Sequence, residues 1–559
     1  MGKRVARVLM GVMVASAMLA SSPVRVEAQL ATQPFAAYGN ASSLAVNALT
    51  VGTTTVADVT AANSGGVVNS TGLSGTVNNQ FGQAVYPTGR ATGQNAYGRG
   101  SGLEVGVLTA NPQPTNLNAL ILTQVADAAA PPPSDLITAE TAIGIPGILT
   151  ASTLRGQAQA TYDPVYCPVG RPLTYGLGYA ENLQLLPGGI GGVVGTSATG
   201  NSVSQTRTVT YMIPNGDGTY GVREESEAII APISVAGTSI TIDVAGPVGF
   251  TVTATGKPGD PRNGVVITES PVITVAAGGP PLLSLSLQDL LGANGLTVDL
   301  PGILTVTAGA PAVGLDGTGA PAVAADGTSA AGSADIVRLN VLGLLGVLDL
   351  SLGHFEGAVS VPAGGIRCTL PVNKIATPDP VPVGQDVVFT INIPSDPGLF
   401  NALFSCDLVN IRAVDTVQVS EGDVNFTVLS ADHGGVVAGN VVTFENLGSY
   451  ALGDPPIQLN IRVHINSASN GAVMRDIVDV SAALANCRGR AAGDDLVLGS
   501  GLIEGNAITG QFVLNGPGIA GGNLAATGGT SAPLVMGAFL VLGGLGLVRL
   551  RRTLIQRRI

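Results

Sequence analysis

Along most of the chain, apolar residues alternate with small polar ones at a period of two. The runs TRTVTYMI, SITIDVAGPVGFTVTATG and NGVVITESPVITVAAG show this pattern, and NGDGT at 215–219 lies between two such runs. A period of two is that of a strand with one buried face, and Asn-Gly and Asp-Gly pairs are typical of tight turns. The sequence therefore predicts a mostly β protein made of many short strands.

The pattern divides the chain near residue 370. Residues 29–370 predict a large N-terminal β-rich domain, which is followed by the linker PVNKIATPDPVP. Five strand-like runs then fall within 371–487, a density that predicts an immunoglobulin-like β-sandwich. Residues 488–523 are rich in glycine and predict a stalk, within which GNAITGQFVLNG is a candidate last strand.

The N-terminus carries the pattern of a secretory signal peptide over residues 1–28. Three basic residues precede an apolar stretch at 8–19, and small residues stand at the −3 and −1 positions of a cleavage site between Ala28 and Gln29. A membrane anchor fits less well, because a spanning helix needs about 20 apolar residues. Export from the cell is the prediction.

The C-terminal residues 524–559 contain three consecutive signals. A pentapeptide comes first, then an apolar stretch at about 532–548 that predicts one transmembrane helix, and then five arginines. Arginines hold such a segment with its tail in the cytoplasm, so the preceding chain lies outside the cell. The pentapeptide consists of Leu524, Ala525, Ala526, Thr527 and Gly528.

This C-terminus resembles bacterial sorting signals of the LPXTG type, in the LAXTG form typical of actinobacteria. The resemblance implies that a sortase cleaves the Thr527–Gly528 bond and joins the threonine carbonyl to cell-wall peptidoglycan. Ala525 stands where the common form has proline. The alternative is a single-pass membrane protein of the cell surface that no sortase cleaves.

Charge excludes one class of partner. Removal of both processed ends leaves 16 of the 25 basic residues and 36 of the 37 acidic ones, a net charge of −20. Binding to nucleic acid requires lysine and arginine against phosphate, so no nucleic-acid partner is expected. An acidic surface of this kind favours solubility and self-repulsion.

The four cysteines predict two disulfide bonds. An even number of cysteines in an exported chain favours disulfides, although four cysteines allow three pairings. We favour Cys406–Cys487 within the sandwich and Cys167–Cys368 across the larger domain. Metal ligation is disfavoured because the chain has no CxxC pair and only three histidines. No metal or cofactor is expected.

The larger domain resembles the choice-of-anchor G family of actinobacterial surface proteins. The resemblance rests on YGRGSGLEVGVL at Tyr97–Leu108 and on Ala334–Cys368. The second domain resembles a sandwich repeat common in bacterial and archaeal surface proteins, on the strength of Lys374, of GQDVVFT at 384–390 and of Leu447-Gly448. These resemblances imply a surface location and no known chemistry.

Lys374 is also a candidate for an intramolecular isopeptide bond. Gram-positive surface sandwiches often join a lysine to Asn or Asp with the help of a buried acid. Only Lys257 and Lys374 remain in the mature chain, and Asp476 and Asp479 lie on a candidate closing strand. The same lysine recurs in sandwich repeats that lack this bond, and the predicted Cys406–Cys487 disulfide already joins the same domain.

No catalytic motif stands out. The chain has no HExxH, GxSxG or Walker sequence. The leading hypothesis is a non-enzymatic, wall-anchored structural or adhesive protein with an unknown extracellular ligand. The alternative is an exported enzyme held at the wall, which a cluster of buried, converging polar groups in the N-terminal domain would favour.

Overall fold

A computed structural model of the protein describes most of the chain between residues 33 and 514. The described ranges are 33–51, 54–73, 93–107, 124–145, 149–185, 194–196, 203–235, 240–268, 272–277, 281–286, 296–300, 304–308, 321–343, 346–469, 471–491, 494–497 and 501–514. The signal peptide with its Ala28–Gln29 bond, the Leu524–Gly528 pentapeptide, the apolar stretch at 532–548 and the arginine tail lie outside them. Within these ranges no helix is long and apolar enough to cross a membrane.

The structure confirms a mostly β protein, and it separates into two compact units. The first contains nearly all of the chain up to Thr369, and the second begins at Leu370. This division lies one residue before the boundary that the change in pattern predicts. The helix α1 (Pro397–Leu403) is short and belongs to the second unit; Asp396 caps it by accepting a hydrogen bond from the backbone N–H of Leu399.

The first unit is built from 23 described strands. They are β1 (Ala36–Val51), β2 (Thr54–Asn69), β3 (Ala96–Val107), β4 (Val125–Ala130), β5 (Ile137–Ile145), β6 (Leu149–Ala160), β7 (Thr174–Glu181), β8 (Gln184–Leu185), β9 (Val194–Thr196), β10 (Val203–Pro214), β11 (Thr219–Ile229), β12 (Ile233–Val235), β13 (Ile240–Ala245), β14 (Val248–Ala254), β15 (Gly264–Thr268), β16 (Val272–Ala277), β17 (Pro281–Ser286), β18 (Leu296–Leu300), β19 (Leu304–Ala308), β20 (Ala322–Val323), β21 (Ser329–Gly343), β22 (Gly346–Ser360) and β23 (Ile366–Arg367).

These strands form two sheets. One has the order β18-β19-β21-β22-β1-β2-β3-β4, with β20 beside β21. The other has the order β15-β14-β11-β10-β7-β6-β8-β9-β12-β13-β16-β17, with β5 beside β6 and β23 beside β11. The hairpin of β10 and β11 matches the TRTVTYMI and NGDGT prediction, since Asn215 and Thr219 bond across its turn.

Glycines allow the two sheets of this unit to approach closely. A Cβ atom added to Gly100 would lie within 3.0 Å of the backbone oxygens of Leu177 and Gln157 on the facing sheet. Gly178 would meet the backbone of Asn63 in the same way. Any side chain at these positions would force the sheets apart, which explains the alternating glycines of the YGRGSG run.

The second unit contains 12 described strands. They are β24 (Asn373–Thr377), β25 (Val381–Pro382), β26 (Asp386–Ile393), β27 (Asp407–Glu421), β28 (Val424–Ala431), β29 (Val436–Ala438), β30 (Val441–Phe444), β31 (Ile457–Ala468), β32 (Val473–Ala485), β33 (Arg488–Ala491), β34 (Asp494–Val497) and β35 (Leu502–Leu514). Ten of them form two sheets: a four-stranded sheet with the order β24-β26-β31-β28 and a six-stranded sheet with the order β25-β35-β32-β27-β30-β29. The remaining two, β33 and β34, pair with each other.

The last strand extends the sandwich beyond the predicted limit at residue 487. β35 pairs with β32 from Val473–Phe512 to Ala483–Leu502. Part of the predicted 488–523 stalk is therefore sheet, as the GNAITGQFVLNG pattern suggested. The glycines that indicated a stalk include Gly505, whose missing side chain admits the backbone of Leu370.

The cysteines pair as Cys167–Cys368 in the first unit and Cys406–Cys487 in the second. This is the pairing that the sequence analysis favours. Cys406 precedes β27 and Cys487 follows β32, and these strands are neighbours in one sheet. The second disulfide thus closes the end of a strand pair, whereas the antibody-type bond joins two sheets.

Candidate functional site

Three ionisable side chains meet in the interior of the second unit. Lys374 comes from β24 of the four-stranded sheet, while Asp415 and Asp476 come from β27 and β32 of the facing sheet. All three side chains have 0% of their surface exposed. We call these residues the lysine cluster. Burial of charged groups is costly, so such a cluster is rare unless its members compensate one another.

The strand register brings the two carboxyl groups together. In the pairing of β27 with β32, Asp415 lies opposite Val478 and Val417 lies opposite Asp476. The two aspartates are therefore diagonal neighbours, and alternation along each strand directs both to the buried face. Lys374 reaches them from the other sheet, while the adjacent Ile375 is 53% exposed.

The lysine amine contacts both acids. Lys374 Nζ donates a short hydrogen bond to Asp415 Oδ2 and lies 2.7 Å from Asp476 Oδ2. The ring of Phe389 covers the amine at 5.4 Å from its centroid. The reacting atoms of an amine and a carboxyl group are thus held together in a site without solvent exposure, which favours reaction through proximity.

Burial controls the protonation of Asp415. Desolvation raises the pKa of its carboxyl, Lys374 lowers that pKa, and the charge and hydrogen bond of Asp476 raise it; the result is a pKa of about 8. The carboxyl of Asp415 therefore keeps its proton at neutral pH. A protonated carboxyl is a far better electrophile than a carboxylate, because its hydroxyl can leave as water.

The sequence anticipates only part of this cluster. Of the residues that the sequence indicates, the structure brings Lys374 and Asp476 together, and it places Asp479 on the half-buried outer side of β32. Sequence reasoning missed Asp415. A signal was present, because Asp415 occupies the apolar phase of its strand between Ala413 and Val417, both of which are buried. An acidic residue at a core-facing position of a strand, such as Asp415, indicates a buried partner.

A second set of buried polar groups lies in the first unit. His354 Nδ1 lies 2.7 Å from Asp335 Oδ1, and His354 Nε2 lies 3.1 Å from Glu356 Oε1. The hydroxyl of Tyr38 donates to the other oxygen of Glu356 at 2.7 Å. We call these four residues the histidine network; its members come from β1, β21 and β22.

The histidine network is arranged for stability. Catalysis by a histidine base requires one ring nitrogen that faces the substrate while an acid holds the other. Here carboxylates hold both ring nitrogens of His354, and its side chain is only 3% exposed. The network therefore neutralises buried charge within the sheet, and it does not have the geometry that would favour the enzyme hypothesis.

The histidine network predicts a loss of stability at alkaline pH. Burial lowers the pKa of His354, but hydrogen bonds and charges from Asp335 and Glu356 outweigh it and raise the pKa from 6.5 to about 9. Since the raised pKa belongs to the folded state, the stabilisation is complete below about pH 6.5 and disappears as the pH rises through 9. Between about pH 7 and 9.5 the free energy of unfolding of the first unit should fall by roughly 2 to 3 kcal/mol.

Urea denaturation of the wild type and of His354→Gln across this pH range tests the prediction. The free energy of unfolding of His354→Gln should depend much less on pH than that of the wild type. His433→Asn is the control, because His433 is half exposed and its positive φ suits asparagine. Equal pH dependence of the wild type and His354→Gln would contradict the assignment.

The described residues contain no group of three or more His, Cys, Asp and Glu side chains that could hold a metal ion.

Comparison with known proteins gives only distant likeness. No family model matches the chain, and no curated protein matches it. The choice-of-anchor resemblance thus has no support from family models.

Among solved structures, the chain is similar to the N-terminal domain of the Streptococcus gordonii adhesin Sgo0707, with 10% identity, a TM-score of 0.15 and coverage of 68% of this chain and 89% of that one. It is also similar to the collagen adhesin of S. aureus, with 10% identity, a TM-score of 0.12 and coverage of 56% and 89%. A third similar structure is the Enterococcus faecalis protein ACE, which binds its ligands by the collagen hug model; identity is 8%, the TM-score is 0.11 and coverage is 55% and 94%. Scores this low support no inference about function.

Proposed function

We propose that the chain is a wall-anchored structural or adhesive surface protein whose second unit is locked by an isopeptide bond between Lys374 and Asp415. The observation that carries the proposal is the contact of one buried amine with two buried carboxyl groups. An ion pair alone is a weak reason to bury three ionisable groups, because apolar residues of similar volume stabilise a core as well or better. A covalent product supplies a stronger reason.

The bond forms by loss of water. Lys374 passes a proton to the Asp476 carboxylate, and the resulting neutral amine attacks Cγ of the protonated Asp415 carboxyl. Asp476 accepts the second proton of the attacking nitrogen as it returns the first to the departing hydroxyl. One C–N bond forms, one C–O bond breaks, and water leaves; the product is an amide with a neutral Asp476 beside it. Asp476 acts as general acid and base.

The mass of the purified, reduced chain tests this chemistry. The wild type should be lighter than its sequence by one water after allowance for signal-peptide removal and C-terminal processing. Asp476→Asn keeps the shape of the acid but cannot relay a proton, so this variant should retain the full mass. Asp479→Asn is the matched control on the same strand and should lose water as the wild type does. A wild type of full mass would refute the bond.

Attachment to the wall belongs to the same proposal and rests on the Leu524–Gly528 pentapeptide. We expect digests of purified wall to contain a peptide that ends at Thr527 and is joined to a wall fragment. Cells without sortase should lack it. Recovery of intact peptides that run through Gly528 into the apolar stretch would instead indicate a single-pass membrane protein.

A surface role also fits the composition of the mature chain. Its net charge of −20 and its two disulfides suit an exported ectodomain. The extracellular ligand would be recognised by the first unit or by the exposed face of the second. A chain that carries load between a bound ligand and the wall gains from covalent bonds across its strands, because hydrogen-bonded strands separate under force.

A further inference from the structure

We infer that the isopeptide bond and the Cys406–Cys487 disulfide act together as a clamp that makes the second unit nearly inextensible between residues 374 and 487. The inference rests on the proposed function, since it requires the bond between Lys374 and Asp415. It adds something that neither cross-link provides alone. The decisive feature is the order of the four joined residues along the chain.

The loops closed by the two cross-links overlap. The isopeptide bond encloses residues 375–414, and the disulfide encloses residues 407–486. Tension enters the second unit from the first unit at Leu370 and leaves after β35 towards the C-terminus. Because the enclosed ranges share residues 407–414, force can pass from one cross-link to the other along a very short piece of backbone.

The path of the force follows from this order. It runs from Lys374 through the new amide to Asp415, back along the chain to Cys406, across the disulfide to Cys487 and on to the end of β35. Only the nine residue steps between 406 and 415 carry load between 374 and 487. Residues 375–405 and 416–486 bear none, so strands β25, β26 and β28 to β32 lie wholly outside the path.

The lengths of the alternative paths differ widely. Residues 374 and 487 are separated by 113 residue steps, which span about 400 Å when fully extended. With both cross-links the backbone part of the path is about 30 Å. With the disulfide alone, 32 steps remain, or about 110 Å. With the isopeptide bond alone, 72 steps remain, or about 250 Å.

Force spectroscopy on the exported chain, held by ligated tags at its two ends, measures these lengths. Relative to the wild type, we expect the total unfolding length to increase by about 80 Å in Lys374→Met, about 220 Å in Cys406→Ser/Cys487→Ser and about 370 Å in the combined variant. Substitution is used in place of a reductant, so that the Cys167–Cys368 bond stays closed and the first unit contributes equally in every case.

The outcomes separate the clamp from the bond. If the wild type has lost water but the double serine variant unfolds with no added length, the clamp is refuted while an isopeptide bond stands. That result is expected for a Lys374–Asp476 bond, whose path to Cys487 bypasses the disulfide. If the wild type retains its full mass and Lys374→Met adds no length, the proposed bond itself is wrong. Additions near the three expected values support the clamp.

Discussion

Lys374→Met should lower the free energy of unfolding of the second unit by about 4 kcal/mol or more. The bond joins residues 41 apart, and closure of a loop of that size restricts the unfolded chain by about 4 kcal/mol in the chain-entropy model. Methionine keeps the apolar length of the side chain, so packing against Phe389 changes little. Calorimetry of the exported chain should show the transition of the second unit at a lower temperature.

Two controls distinguish the covalent bond from an ion pair. Lys257→Met removes the other lysine of the mature chain and should leave this transition unchanged. Loss of an ion pair would also destabilise the fold, so the reduced and boiled chains are compared by denaturing electrophoresis. A closed loop keeps the denatured wild type compact, and the wild type should migrate faster than Lys374→Met. Identical migration would contradict the covalent bond.

Cys167→Ser/Cys368→Ser should have a comparably large effect on the first unit. The disulfide spans 201 residues and encloses strands β7 to β23. Loop closure of this length is worth about 5 kcal/mol in the chain-entropy model, near the upper end of measured disulfide contributions. Urea denaturation should show the first unit unfolding at a much lower concentration.

The double variant Cys406→Ser/Cys487→Ser in the second unit is the comparison for this prediction. Cys406–Cys487 spans 81 residues, so its removal should cost about 4.5 kcal/mol there and leave the transition of the first unit unchanged. If loss of the Cys167–Cys368 bond lowered the free energy of unfolding of the first unit by less than about 1 kcal/mol, the denatured chain would have to be restricted by residual structure.

Local pattern predicts the strands of this protein well. The alternation in NIRAVDTVQV and MRDIVDVSAAL corresponds to β27 and β32, and the boundary between the two units follows the change near residue 370. Strand formation depends on near neighbours, so one sequence contains the necessary information. The end of the sandwich is harder, because glycines in β35 serve a close backbone approach that only the fold reveals.

The site depends on contacts between distant residues, and these are harder to predict. Lys374 meets Asp415 and Asp476, which lie 41 and 102 positions further along the chain. The position of each aspartate in the alternation of its strand indicates that it is buried. Only the register between β27 and β32 brings the two carboxyl groups to the same place. The histidine network shows the same limit, since nothing near Tyr38 in the sequence indicates its bond to Glu356.

A tryptic digest of the reduced wild-type chain shows whether the bond between Lys374 and Asp415 has formed. Trypsin cleaves after Arg367, Arg412 and Arg462, so we expect one branched species in which peptides 368–412 and 413–462 are joined with loss of one water. Tandem mass spectrometry should place the junction at Lys374 and Asp415. Free peptides 368–374 and 375–412, produced by cleavage after an unmodified Lys374, would show that the bond is absent.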